Sequence, residues 1–267
     1  MTRIIAIANQ KGGVGKTTTC VNLAASLAAM RQRVLLVDLD PQGNATMASG
    51  VEKYSVERSV YDVLVRGAPI PLVTCATAQS HFDVLPANGD LTAAEVELLN
   101  IDHREKRLRN ALTEIDGQYD YVLVDCPPSL NMLTINALVA ADGVIIAMQC
   151  EYFALEGLAA LVRTIEGVAE TSNSELQIEG ILRTMYDPRN SLTTDVSAQL
   201  RAHFGDKVYR TVVPRNVRLA EAPSHGLPVM YYDKNSRGSK AYMALAGEII
   251  RREEQQAAQR NGHTVAT

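Results

Sequence analysis

The chain has 267 residues, 46% of them apolar, with a formal net charge of −4. That length supports one large α/β domain with a sizeable core. No apolar run is long enough to span a bilayer, and the overall charge does not advertise nucleic-acid binding.

Ile4-Ile5-Ala6-Ile7-Ala8 reads as a strand. It runs into Asn9-Gln10-Lys11-Gly12-Gly13-Val14-Gly15-Lys16-Thr17-Thr18, and an amphipathic helix is expected from Thr17 to about Met30. Strand, glycine-rich turn and helix in that order make a phosphate cradle, because glycines let backbone N–H groups converge on an anion. Lys16 would reach the β- and γ-phosphates, and the Thr17 hydroxyl would ligate Mg²⁺. The competing reading is a turn that binds nothing. The standard P-loop needs a glycine where Gln10 stands, and a second lysine, Lys11, is present instead.

Arg33 to Asp38 reads as the next strand, buried on both faces. It ends in Asp38-Leu39-Asp40-Pro41-Gln42-Gly43-Asn44, too rich in Pro, Gly and Asn for regular structure. Carboxylates at a parallel strand's C-terminal end face the ligand crevice. Asp38 and Asp40 lie one strand period apart, so both can face one side. The alternative for Asp40 is a turn-capping role. A short helix is expected over residues 59–65, a strand over 81–86, and helices over 93–100 and 104–115. Glu95, Glu97 and Glu105 have no converging partners and read as a solvated face.

Tyr121-Val122-Leu123-Val124-Asp125 is a buried strand ending in an acid, followed by Cys126-Pro127-Pro128-Ser129. Asp125 would hold Mg²⁺ through water, and the prolines stiffen the turn beyond it. A helix (133–140), a strand (143–148), a helix that residues 149–157 lead into and that runs through about 169, and a strand (176–183) follow. Glu151 is either a contact to a nucleotide or partner subunit or an ordinary acid at a helix start. A helix over 191–204 with Ser191 as its cap, a strand over 208–213 and a helix over 238–259 complete the chain, and residues 253–267 are expected to fray. His225 reads as structural.

The βαβα alternation without linker or composition break implies one domain over 1–267: an α/β fold with a mostly parallel twisted sheet and helices on both faces. Cys20, Cys75, Cys126 and Cys150 form no CxxC pair and read as reduced, mostly buried thiols. The N-terminus runs directly into a strand, so a cytoplasmic protein is expected. No helix-turn-helix segment precedes the P-loop, which argues against site-specific operator binding. Residues 181–252 hold twelve basic and six acidic side chains against an acidic remainder. A basic face and scattered solvated charges are both open readings of that imbalance.

The Lys-Gly-Gly-Val-Gly-Lys-Thr core resembles the deviant Walker A motif of the ParA/MinD family, and the loops after Asp38 and Asp125 resemble its switch I and switch II. With Gln149 to Gly157, the resemblance extends over about residues 3–252 and points to a ParA/Soj-type partition ATPase. It implies ATP and Mg²⁺ as cofactors, held by Lys11, Gly12, Gly13, Val14, Gly15, Lys16, Thr17 and Thr18. It places Asp38 near Mg²⁺ beside Thr17 and Asp125, and makes Asp40 the residue that polarises the attacking water. It puts Met185, Pro214, Arg215 and Asn216 around the adenine, and Arg189 and Arg218 on a DNA-binding surface.

Lys11, with Lys16 and Asp40, is implied in catalysis by crossing to the nucleotide of a second subunit; the alternative is that it serves its own phosphates. The resemblance further implies an ATP-dependent homodimer, non-specific double-stranded DNA, a ParB-type partner and nucleoid association. Two other readings are weighed. A MinD-like membrane-positioning ATPase needs an amphipathic C-terminal anchor, and residues 251–260 offer no bulky apolar face. A nitrogenase-type iron protein needs a cysteine from each subunit at defined loops, and only Cys126 and Cys150 are candidates.

Overall fold

The computed structural model describes residues 2–77 and 79–264. It opens with β1 (Arg3–Ala8), the glycine-rich turn, α1 (Lys16–Ala29) and β2 (Val34–Asp38). The short helices α2 (Asn44–Ala48) and α3 (Val60–Leu64) precede the short strands β3 (Cys75–Ala76) and β4 (Asp83–Leu85). Next come α4 (Leu91–Glu97), α5 (Arg107–Thr113), β5 (Tyr121–Asp125), α6 (Met132–Ala140) and β6 (Gly143–Gln149). They are followed by α7 (Ala154–Thr171), β7 (Gln177–Tyr186), α8 (Ser191–Phe204) and β8 (Val208–Pro214). The chain closes with α9 (Val217–Glu221), α10 (Val229–Tyr232) and α11 (Arg237–Thr264).

The strands stand in the order β3-β4-β2-β5-β1-β6-β7-β8. All neighbours run parallel except β3 against β4, so the expected mostly parallel sheet is present. Alternating residues of each strand serve opposite faces, as the period of two requires. Ile5, Ile7, Leu36 and Leu123 pack with α1 and α11, whereas Ala6, Ala8, Val37 and Val124 pack with α3 to α8. Both faces are therefore covered, which is why the central strands are apolar throughout.

β1 has β5 on one side and β6 on the other. The chain leaves β1 towards β2 and later returns to add β6, so strand order reverses there. The crevice beyond the strands' carboxyl ends at such a switch point is where α/β sheets bind ligands, and the glycine-rich turn occupies it.

Several local expectations are corrected. Asn190, not Ser191, caps α8: its Oδ1 accepts from the Leu192 N–H at 3.0 Å. β7 continues through Thr184, Met185 and Tyr186, which the sequence placed in a loop. The segment after Asp40 turns helical at Asn44. Glu97 accepts from the Tyr61 hydroxyl at 3.0 Å and Glu95 accepts from Asn131, so these two acids do have partners. α11 is helical to Thr264, and Glu253, expected in a frayed tail, accepts from the Tyr121 hydroxyl and sits 3.7 Å from Arg3. Residues 265–267 of that tail lie outside the described residues.

Candidate nucleotide and metal site

The turn between β1 and α1 needs backbone that only glycine adopts easily. Gly13 and Gly15 have φ of 72° and 89°, in the left-handed region. Gly15 is the residue before α1, whose first N–H groups lack carbonyl partners and carry the positive end of the helix dipole. Lys16 opens that helix and is 7% exposed. Its Nζ reaches back 3.3 Å to the Lys11 carbonyl across the mouth of the turn. Burial pulls the Lys16 amine below its ordinary range, opposed by Asp125, Cys126 and Asp40.

Asp38 and Asp125 end neighbouring strands and are paired in register, both fully buried. Adjacent strands are about 4.8 Å apart, so the carboxylates are close neighbours. They are treated differently. Asp38 accepts from the Thr46 N–H at 2.8 Å, the Thr46 hydroxyl at 2.7 Å and the Asp40 N–H at 3.1 Å. Burial still pushes its carboxyl up to about 6 against those bonds. Neither oxygen of Asp125 accepts a hydrogen bond among the described residues. Burial first, then the Asp38 charge, holds the Asp125 carboxyl far above the usual carboxylate range, and the Thr17 hydroxyl and Lys16 offset this only in part. A buried carboxylate with no donors is costly in an apolar interior. A hard divalent cation is the group this donor set fits, since Mg²⁺ uses one or two carboxylates, a hydroxyl, water and phosphate oxygens rather than a closed protein cage.

Asp40 is half-buried, and its Oδ1 accepts from the Gln42 N–H at 2.9 Å in a tight turn. The turn-capping role weighed for it is therefore real. That bond uses one oxygen and leaves Oδ2 unengaged among the described residues. The structure thus gathers Lys16, Thr17, Asp38, Asp40 and Asp125 at one carboxyl edge.

Lys11, expected to reach a nucleotide in a second subunit or its own, is engaged within its own chain. Its Nζ is paired with the carboxylate of Glu151, two residues beyond the end of β6. Asn9 orients the same stretch: its Nδ2 donates to the Ala147 carbonyl of β6 at 2.8 Å, and its Oδ1 accepts from the Lys11 N–H at 2.9 Å. Both Lys11 and Glu151 remain about half exposed.

The residues expected around a base also converge. Tyr186 is in register with Pro214 across β7 and β8, which puts Met185 beside the Pro214–Asn216 turn. Met185 has φ of 48°, unusual for a long side chain. Asn216 additionally caps α9, accepting from the Arg218 N–H at 3.1 Å. Neither arginine expected on DNA is unpaired. Arg189 makes a two-pronged contact to Asp187 (2.9 and 2.7 Å), which draws the Asp187 carboxyl down to about 2. Arg218 pairs with Glu221 at 2.8 Å and Asp233 at 3.4 Å.

The sequence reading missed Thr46, the clasp of Asp38, whose hydroxyl also accepts from the Ala87 N–H at 2.9 Å. It likewise gave no role to Thr184 of β7, which donates to the Val14 carbonyl at 2.7 Å. The Thr46–Ala87 and Thr184–Val14 contacts have no local signature, because each joins segments far apart in the chain. Cys126 and Cys150 are both buried, with burial raising both thiols, and so are poorly placed to bridge two subunits. His225 stacks on Tyr232 at 4.8 Å, a packing role.

A glycine cradle on a helix N-terminus, with an internal lysine and two strand-end carboxylates, defines a P-loop nucleotide-binding protein. The family model described as "AAA domain" matches residues 2–178. The sporulation initiation inhibitor protein Soj of Bacillus subtilis is 54% identical over 93% of this chain and 98% of its own length. The chromosome partitioning protein ParA of Caulobacter vibrioides is 54% identical over 94% and 95%. The chain belongs to the ParA/Soj family of chromosome-partitioning ATPases.

Solved structures agree on the fold. The Mycobacterium smegmatis cobyrinic acid a,c-diamide synthase with bound ADP and magnesium superposes with a TM-score of 0.84 at 38% identity, covering 95% of this chain and 96% of that one. Septum site-determining MinD from Pyrococcus horikoshii, complexed with Mg-ADP, gives 0.78 at 27% identity, covering 93% and 96%. No helix among the described residues is long and apolar enough to cross a membrane.

Proposed function

We propose that this chain is an ATP-hydrolysing DNA partition protein. ATP and Mg²⁺ supply the phosphoanhydride to be split and the cation that neutralises its charge. The N–H groups from Gly12 to Thr18 converge on the phosphates, and Lys16 stabilises them from inside the fold. Thr17 and Asp125 hold Mg²⁺, and Asp38, already saturated by Thr46 and Asp40, shapes the cavity beside it. Asp40 orients the attacking water through its unengaged oxygen. Met185 and the turn of Pro214, Arg215 and Asn216 enclose the base.

The observation that carries the proposal is Lys11. The site already has an internal lysine, yet a second one stands at its rim, half exposed, its ammonium paired with Glu151. An exposed ion pair contributes at most about 1 kcal/mol, so a triphosphate in a facing copy of the chain competes for the ammonium. Lys11 then acts in trans, much as an arginine finger does. The resulting homodimer doubles a surface bearing Arg189 and Arg218. Their carboxylate partners are half-buried and within reach of solvent, and the pairs yield to phosphates, whose neutralisation sets non-specific affinity for double-stranded DNA. Hydrolysis, accelerated by a ParB-type partner, releases the DNA.

The relatives named for chromosome partitioning support this reading over a membrane-positioning one. The test is retention on double-stranded DNA with ATP, ADP or no nucleotide at several salt concentrations. Binding that needs ATP and weakens steeply with salt supports the proposal. Equal retention in all three states overturns it, and ATP-dependent binding to anionic liposomes instead of DNA supports the MinD-like alternative.

A further inference from the structure

The Thr184 hydroxyl donates its hydrogen bond to the Val14 carbonyl, in the middle of the P-loop, across 170 residues of chain. Thr184 is 2% exposed, so no water competes for that bond. A β carbon built on Gly15 would lie 3.7 Å from Thr184 Cβ and Cγ2, so the space between loop and strand there is no more than one methyl wide. Thr184 itself is held by the sheet, in register with Gln149 of β6.

We infer that Thr184 is a positioning residue for the nucleotide: by securing the Val14 carbonyl on the β7 side, it aims the Gly15 N–H into the phosphate cradle. The peptide unit joining Val14 to Gly15 is planar and trans, so its C=O and N–H point in opposite directions. A carbonyl fastened towards β7 turns the N–H away from β7. Without the fastening, this unit is easy to turn over, because Gly15 tolerates φ of either sign. A turned unit presents a carbonyl dipole to the phosphates and repels them. The hydroxyl removes that alternative and pre-organises the loop before the nucleotide arrives.

The inference rests on the nucleotide-binding reading of the P-loop and is independent of dimerisation and DNA. Calorimetric titration of the full chain with Mg²⁺ and a non-hydrolysable ATP analogue tests it. Thr184→Val keeps the shape and deletes the hydroxyl; loss of one buried hydrogen bond corresponds to roughly tenfold weaker binding. Thr184→Ser keeps the hydroxyl and should bind within about twofold of the parent, since the donor is what matters. The nucleotide-free protein gives a second readout: the Gly15 amide resonance shifts in Thr184→Val and holds its place in Thr184→Ser.

Unchanged affinity in the valine variant overturns the inference. So does a serine variant as weak as the valine one, which would assign the contact to methyl packing. Should the valine variant not fold, Thr184→Ala is compared with Thr184→Ser, and equal affinities for these two also overturn it. Failure of the parent chain itself to bind the analogue would instead refute the nucleotide reading, while the Gly15 resonance still reports on the Thr184 contact.

Discussion

Replacing Asp125 with Asn should stabilise the nucleotide-free protein and cripple it as a magnesium site. Asp125 is fully buried beside Asp38 and accepts no hydrogen bond among the described residues, so the amide forfeits no bonded donor there. Two unit charges about 5 Å apart at an effective dielectric near 20 repel by roughly 3 kcal/mol. For a chain of this length each kcal/mol moves the melting temperature by about 2 °C, so the variant should melt ~6 °C higher at pH 8. The gain has a defined pH dependence. A carboxyl raised in the folded state costs stability only where the unfolded chain ionises it. The benefit of removing it is therefore absent below about pH 4 and grows as pH rises through the folded-state value. Adding Mg²⁺ with an ATP analogue should raise the melting temperature of the parent chain and leave that of the variant nearly unmoved. Thermal melts at pH 4 and pH 8, with and without nucleotide, make the measurement. A variant less stable than the parent at pH 8 without nucleotide would refute the reasoning, because Asp125 would then be a structural anchor.

Arg189→Ala should weaken DNA binding and lower the slope of log affinity against log salt by about 1, with nucleotide affinity unchanged; simultaneous loss of both would reject its place on the DNA surface. Lys11→Ala should retain nucleotide binding, because Lys16 remains inside the cradle, and should lose ATP-dependent pairing in sedimentation runs. Glu248 accepts from the Arg210 and Thr211 N–H groups at 2.8 and 2.9 Å and from Arg252 at 2.7 Å. Burial pushes its carboxyl up, but these donors more than offset it, and the net shift is downward. Its stabilisation is therefore full above the ordinary glutamate range and is lost as pH falls through the lowered value. Glu248→Gln should flatten the acid limb of a stability-against-pH curve.

The parts of the site visible in the sequence are those carried by contiguous residues. The P-loop declares itself because strand, glycines, lysine and threonine are adjacent, and Asp38 and Asp125 because each ends an unbroken apolar run. Their pairing in register follows once β2 and β5 are neighbours in the sheet. What the sequence hides is contact between distant segments. Thr46 accepts from Ala87, Thr184 holds Val14, Asn9 reaches β6 and Asn131 meets Glu95, each through a side chain with many equally plausible local uses. Element ends fail for a related reason. Asn190 and Ser191 are both good caps, and only the backbone path decides between them. β7 outlasts its apolar stretch because β6 and β8 continue to pair with it as far as Thr184 and Tyr186. Lys11 shows a further limit: its spacing marks it as surplus to the cradle, while its pairing with Glu151 depends on where β6 ends.

The central claim is that ATP brings two copies face to face through Lys11. The most direct measurement is the molar mass of the Asp40→Ala chain, in which the proposed role of Asp40 predicts blocked turnover, by sedimentation with Mg²⁺ and ATP and again with ADP. The account predicts twice the 29.0 kDa of one chain with ATP and a single chain with ADP. A single chain in both, at ATP concentrations that saturate the site, would contradict it.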